Sequence, residues 1–206
     1  MILASSSPRR RELFTRLGVA YTPFGPDVDE RARPGETPLE TQHRITLEKA
    51  RVAALRVPAL QDEVVIAADT TVLLDGAMLN KPADADEAWA MLRRLRGRTH
   101  EVQTCVVIKR GAQEIMEIVS SLVTMRPYSD AEIAAYIATG DPFDKAGSYA
   151  VQHANFQPVE SIQGCPLNVV GLPLCRLRAH LPGLPNPAPV CRVFWGQPCV
   201  SEISDF

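Results

Sequence analysis

The chain has 206 residues, 46% hydrophobic and 22% charged, with a formal net charge of −2. That length can bury a large core unaided, and the near-neutral balance excludes a disordered chain and the basic excess of a nucleic-acid-binding surface. Five cysteines without a C-x-x-C pair, and no apolar run of membrane-spanning length, point to a reduced, cytoplasmic protein rather than a disulfide-stapled, zinc-bound or membrane one.

Met1 to Ala4 is apolar and precedes its arginines, the reverse of a secretory leader, and reads as a short buried strand. Ser7 and Pro8 then supply an N-cap hydroxyl and a first-turn proline for a helix with Leu13, Phe14 and Leu17 on its core face and Gly18 as its stop. A Pro/Gly-rich loop carrying "DVDE" leads to a second helix, Leu39 to Val57, with an inner stripe of Leu47, Ala50, Ala53 and Ala54. "EVVIAADTTVLLDGAML" reads as a buried strand ending near Asp69, then a second strand and a tight turn at Asp75-Gly76. Asp84 and Glu87 resemble a capping box for a helix faced by Ala88, Met91, Leu92 and Leu95 and ending at Gly97. "HEVQTCVVIKR" and "EIMEIVSSLVTMR" predict a long hairpin, and Ser129 with Glu132 opens a helix that turns Ile133, Tyr136 and Ile137 inward before Gly140.

"SYAVQ" and "VESI" are short strand candidates, and a terminal helix begins near Pro173. Beyond His180 the proline-rich "LPGLPNPAPV" reads as an extended linker and "CRVFWG" as an edge strand or a mobile end, giving a domain at 1–182 and a tail at 183–206. Irregular alternation with one hairpin favours a mixed α/β sheet with flanking helices over a purely parallel one.

The chemistry begins at "LASSSPRRREL". A strand running through a small-residue loop into a helix N-terminus aims free amides and the positive dipole end outward, a geometry that binds phosphate. The alternative is a capped, solvated helix start. Against it, Arg9, Arg10 and Arg11 oppose the dipole and repel one another, and an anion there would relieve both penalties. Asp69 follows a buried run, where open α/β sheets place ligand chemistry; its other reading is a turn aspartate bonding near Thr71. Lys49 and Lys81 taken singly are ordinary surface lysines, and Asp27, Asp29 and Glu30 an ordinary solvated turn.

As a set these parts are complementary. Helix amides, Arg9 and the two lysines would neutralise a polyphosphate, while Glu30 and Asp69 could hold a hard divalent cation and position water for attack on phosphorus. No Walker loop, G-x-S-x-G elbow or H-E-x-x-H motif is present. The four histidines are scattered and read as structural, with His153 singled out beside Gln152, and Tyr149 reads as core.

"LASSSPRRREL", "DVDE", "EKA", "AADTTVLLDG", "NKPADADEAWAMLRRLRGRTHEV", "DKAGSYAVQ" and "NVVGLPL" occur in the order and spacing of the Maf-like family of nucleoside triphosphate pyrophosphatases, which the chain resembles over residues 2 to 181. The resemblance implies a mixed α/β fold with two lobes around a deep cleft, and a Mg- or Mn-dependent cut of a nucleoside triphosphate into monophosphate and pyrophosphate. By the same resemblance Asp69 is the proton acceptor, Glu30 joins it at the metal, and Ser5, Arg9, Arg10, Lys49 and Lys81 meet the phosphates. Arg9, Thr70 and Gln152 fall at its specificity positions and resemble the dTTP- and UTP-acting subgroup; relatives acting on 7-methyl-GTP, or a nucleotide-sensing regulator of cell division, are the competing readings. The resemblance also implies a homodimer, while the lack of a membrane-length apolar run and the acidic charge balance predict no membrane or nucleic-acid partner. His153, where the family often has glycine, is expected to alter the base-recognition edge, and "NKP" in place of "GKP" the loop of Lys81.

Overall fold

Seven strands form one mixed sheet in the computed structural model of the chain, which describes residues 1–56, 63–151 and 153–196. They are β1 (Ile2–Ala4), β2 (Thr22–Phe24), β3 (Val65–Leu74), β4 (Ala77–Leu79), β5 (Thr99–Arg110), β6 (Gln113–Met125) and β7 (Val159–Gln163). Their order is β2-β1-β3-β5-β6-β7, with β4 pairing β3 off that path. β1 lies parallel to β2 and β3, and the other pairs are antiparallel, so the expected mixed α/β sheet is present. Seven α-helices flank it among the described residues: α1 (Pro8–Leu17), α2 (Pro38–Arg56), α3 (Ala85–Leu95), α4 (Asp130–Ile137), α5 (Pro166–Val170), α6 (Leu174–His180) and α7 (Ala188–Trp195). No helix among the described residues is long and apolar enough to cross a membrane.

The period of two in β1 and β3 assigns the faces. Leu3, Ile66 and Ala68 pack with Leu13, Phe14 and Leu17 of α1 and with buried residues of α5, α6 and α7. Ile2, Ala4, Val65 and Ala67 point the other way, onto Ala50 and Ala53 of α2. Further along the first face, Val72 and Leu74 join the apolar sides of α3 and α4 in a separate cluster. The same alternation therefore sends Asp69 toward α2, and leaves Thr70 on the first face in the gap between its two clusters.

Several expected elements hold. Gly18 ends α1 at φ 74°, and Ala88, Met91, Leu92 and Leu95 are the buried side of α3. Ser129 and Glu132 make the complete reciprocal cap of α4. At α3 the cap is half of one, since Asp84 accepts from the amide of Glu87 while Glu87 accepts from that of Ala83.

Other expectations are corrected. β3 does not end near Asp69: β5 pairs it residue by residue from Val65 to Leu73, which carries the strand through the carboxylate. In α2, Ala50 and Ala53 are buried as expected, but Leu47 and Ala54 are half-buried, and Thr41, Gln42, Ile45 and Thr46 complete the inner stripe. Gln42 faces inward because its amide serves the backbone carbonyls of Asp69 and Gln103, at 2.9 and 3.1 Å. The C-terminal end expected for this helix, Val57, lies outside the described residues. "SYAVQ" is no strand over its described residues, because Gly147 and Ser148 turn the chain with φ of 70° and 63°. "CRVFWG" is not an edge strand, nor is its approach an extended linker throughout: Ala188–Trp195 is helical and buries Val190, Cys191 and Phe194.

His100 is the most deeply buried of the histidines described, 3% exposed, with Nε2 2.7 Å from the Tyr149 hydroxyl and Nδ1 without a partner among the described residues. Burial lowers its pKa from 6.5 to about 4. The unfolded chain therefore takes up this proton first on acidification, and stability falls as pH drops from the unfolded value toward the folded one. We expect ~2 kcal/mol less stability at pH 5 than at pH 7 from this residue. Urea midpoints at the two pH values check it, and His100→Phe should remove that part of the difference.

Candidate active site

A cavity of about 600 Å³ opens where the β1–α1 loop, α2, β3 and the β4–α3 loop meet. Ser5, Arg9, Arg10, Glu30, Lys49, Asp69, Thr70 and Lys81 all line it, so eight of the nine residues singled out in the sequence converge on one space. The ninth, Gln152, lies outside the described residues.

The cations of this space fall into two groups. Arg9 and Lys81 make no hydrogen bond or ion pair among the described residues. Lys49, Arg10 and Lys145 are engaged. Lys49 reaches from α2 to Glu30 Oε1 at 2.7 Å and Asp69 Oδ1 at 3.0 Å, so the two carboxylates converge on a single ammonium. Arg10, which the resemblance places with the phosphate contacts, lines the cavity and gives its guanidinium protons to Gly171 O, Ser5 Oγ and Thr70 Oγ1. Burial lowers its pKa, against the raising influence of the nearby Asp69 carboxylate.

The start of α1 presents donors. Its N-cap residue Ser7 makes no side-chain cap, contrary to expectation, and no acidic residue stands in the first turn. Among the described residues, Arg11 is the first of the helix whose amide finds a backbone acceptor, Ser7 O. The preceding amide of Arg10 has no acceptor among the described residues, and the positive dipole end that it shares lies at a helix start lining the cavity.

Sequence reasoning missed two contributors. Arg44 on α2 donates to Glu36 and to the backbone oxygens of Asp29 and Arg31, which pins the 29–36 loop and so holds Glu30 over Lys49. Lys145 is 7% exposed and bridges Asp141 and Asp144 at 2.8 and 2.6 Å on the cavity wall. Burial tends to raise the Asp141 carboxyl, but its bonds from Lys145 and the Tyr136 hydroxyl outweigh that and hold it below the usual range. The "DKAG" motif was the signal that could have found Lys145; nothing in the local pattern points to Arg44.

Cys105 sits opposite Asp69 in the β3–β5 register, but burial pushes its thiol up to about 11, so it stays protonated and offers no nucleophile. His153 accepts the Phe156 amide at Nδ1, packs on Tyr136 with ring centroids 4.7 Å apart, and lines a smaller adjoining hollow of about 400 Å³ together with Arg9 and Lys145.

A mixed sheet that gathers idle cations, free helix amides and a carboxylate pair into one cavity defines a protein built to hold a polyanion. A sequence model of the family described as Maf-like protein matches residues 1–184, and the chain belongs to that family. A dTTP/UTP pyrophosphatase of Anaeromyxobacter dehalogenans (strain 2CP-1 / ATCC BAA-258) is 45% identical over 193 residues, covering 91% of this chain and 96% of that protein. The dTTP/UTP pyrophosphatase of Myxococcus xanthus (strain DK1622) is 45% identical over 189 residues, covering 91% and 94%, and that of Symbiobacterium thermophilum 44% over 176 residues, covering 85% and 89%.

Proposed function

We propose that this protein hydrolyses dTTP and UTP to the monophosphate and pyrophosphate, with Asp69 taking the proton of the attacking water. The observation that carries this reading is the division of cations: Arg9 and Lys81 face the cavity with no partner among the described residues, opposite a carboxylate pair already converged on Lys49. A triphosphate supplies what the idle cations lack. The names of the relatives supply the base class.

The donor set fits a divalent cation of the Mg or Mn type. Glu30 and Asp69 offer hard oxygens aimed at one point, and no group of three His, Cys, Asp or Glu among the described residues could hold a metal alone, so the remaining ligands would be phosphate oxygens and water. Bound there, such a cation would neutralise charge on the phosphate oxygens. Arg9 and Lys81 hold the outer oxygens of the phosphate chain, and the Asp69 oxygen that Lys49 does not engage receives the proton of the attacking water.

Pyrophosphate release from dTTP, UTP, CTP and 7-methyl-GTP, assayed in parallel with Mg or Mn, tests the assignment. dTTP and UTP should lead; a clear preference for 7-methyl-GTP overturns it. Lys81→Ala is a sharper local check, because this exposed side chain makes no hydrogen bond or ion pair among the described residues. It should raise KM roughly tenfold, the loss of one charge-assisted contact, with Tm unchanged.

A further inference from the structure

Arg9 and Arg10 stand side by side in the first turn of α1 and line the same cavity, yet they are used differently. Arg10 gives Nε–H to Gly171 O at 2.7 Å, Nη2–H to Thr70 Oγ1 at 2.9 Å and Nη1–H to Ser5 Oγ at 3.3 Å. The chain is shaped for this. Gly171 has φ +118°, and a Cβ there would lie 3.3 Å from Thr70 Oγ1 and 3.4 Å from Arg10 Nε, closer than the arrangement comfortably allows.

Counting protons fixes the direction of each bond. Thr104 has one hydroxyl proton and donates it to Asn168 O at 3.0 Å, so in the 3.0 Å pair of Thr70 and Thr104 the donor is Thr70. Thr70 therefore spends its proton on Thr104 and takes one bond from Arg10, which leaves its oxygen only a lone pair to offer. Ser5 is the converse. Its oxygen accepts from the Ser7 amide at 3.2 Å and from Arg10, which fills both lone pairs and leaves the proton without an acceptor among the described residues.

We infer that Arg10 is a positioning residue that acts on the substrate through these two hydroxyls: it fixes Ser5 as a hydrogen-bond donor to a phosphate oxygen and Thr70 as an acceptor. This deepens the triphosphate reading above and rests on it. Phosphate oxygens accept and do not donate when ionised, so the donor-only serine suits them. The acceptor-only threonine is withheld from phosphate and meets a group that carries a proton, a water or the N–H of a base.

A double-mutant cycle on binding of a non-hydrolysable α,β-methylene dTTP separates a positioning role from direct contact. Ser5→Ala should weaken binding roughly tenfold, Arg10→Met at least as much because it also releases Thr70, and the double variant should be no more than about threefold weaker than Arg10→Met, in which the serine contact is already lost. Losses that multiply to about a hundredfold show Arg10 touching phosphate itself and overturn the inference. Arg10→Lys keeps the charge but cannot fork to three acceptors; it should behave like Arg10→Met, and wild-type affinity in it is equally fatal. Where Arg10→Met does not fold, Arg10→Lys takes its place in the cycle. No binding of the analogue to the wild type also overturns the inference, whereas binding without turnover of dTTP counts against the hydrolase reading alone.

Discussion

Asp69→Asn should lower the turnover of dTTP by about a thousandfold while the protein still melts within a few degrees of wild type. The amide is isosteric and keeps an oxygen that Lys49 can approach, so the polar contacts around the strand survive. What it loses is basicity. A carboxylate can receive the proton that a water gives up on attacking phosphorus, and an amide cannot. The position makes the test clean: Asp69 lies in the middle of β3, held on one side by β5 pairing and through its carbonyl by Gln42, neither of which depends on the carboxylate. Glu30→Gln should be milder, since Glu30 is exposed and contributes charge beside the cavity rather than the accepting oxygen. Pyrophosphate release from Asp69→Asn at the wild-type rate, with the melting curve intact, would sink the role assigned to this residue.

Much of the fold was legible because local rules and tertiary burial agreed. Leu13, Phe14 and Leu17 fall on one helical face, and Ser129 with Glu132 satisfies two orphan amides by itself; neither needs a distant partner to be recognised. The failures come where a distant partner decides. Gln42 turns inward on α2 because backbone oxygens of β3 and β5 accept from it, which an apolar-period reading cannot foresee. β3 passes through Asp69 because β5 continues opposite it, although the carboxylate looked like the end of a run. The site divides in the same way. Which residue types belong together was readable from motif order, but which of two adjacent arginines is tied to the protein was not. Arg10 turns inward to Thr70 and Gly171, 60 and 161 residues away in sequence, and Arg9 does not. Lys49 lying between two carboxylates, and Arg44 tying down the Glu30 loop, depend equally on contacts that no local pattern encodes.

The C-terminal helix leads to the second large effect: Phe194→Ala should destabilise the protein by about 3 kcal/mol, visible as a lower urea midpoint with an unchanged slope. An eight-residue helix has too few internal bonds to persist alone, so α7 exists because something covers it. Val190, Cys191 and Phe194 form that buried stripe, joining the cluster of Leu13, Phe14 and Leu17 from α1, and the Arg16 guanidinium lies 5.4 Å from the Phe194 ring centroid. Phe194 is 7% exposed, so truncation opens a cavity against α1 rather than trimming a surface ring, and the cost sits at the lower end of the range for buried aromatic residues. Turnover at 25 °C should remain near wild type, because the truncated ring faces the apolar core around Leu13 and Leu17, whereas Arg9 and Ser5 stand at the opposite, N-terminal end of α1. A midpoint that does not move would mean that α7 packs on nothing that matters to folding, and would return residues 188–190 to the linker and 191–195 to the mobile end read from the sequence.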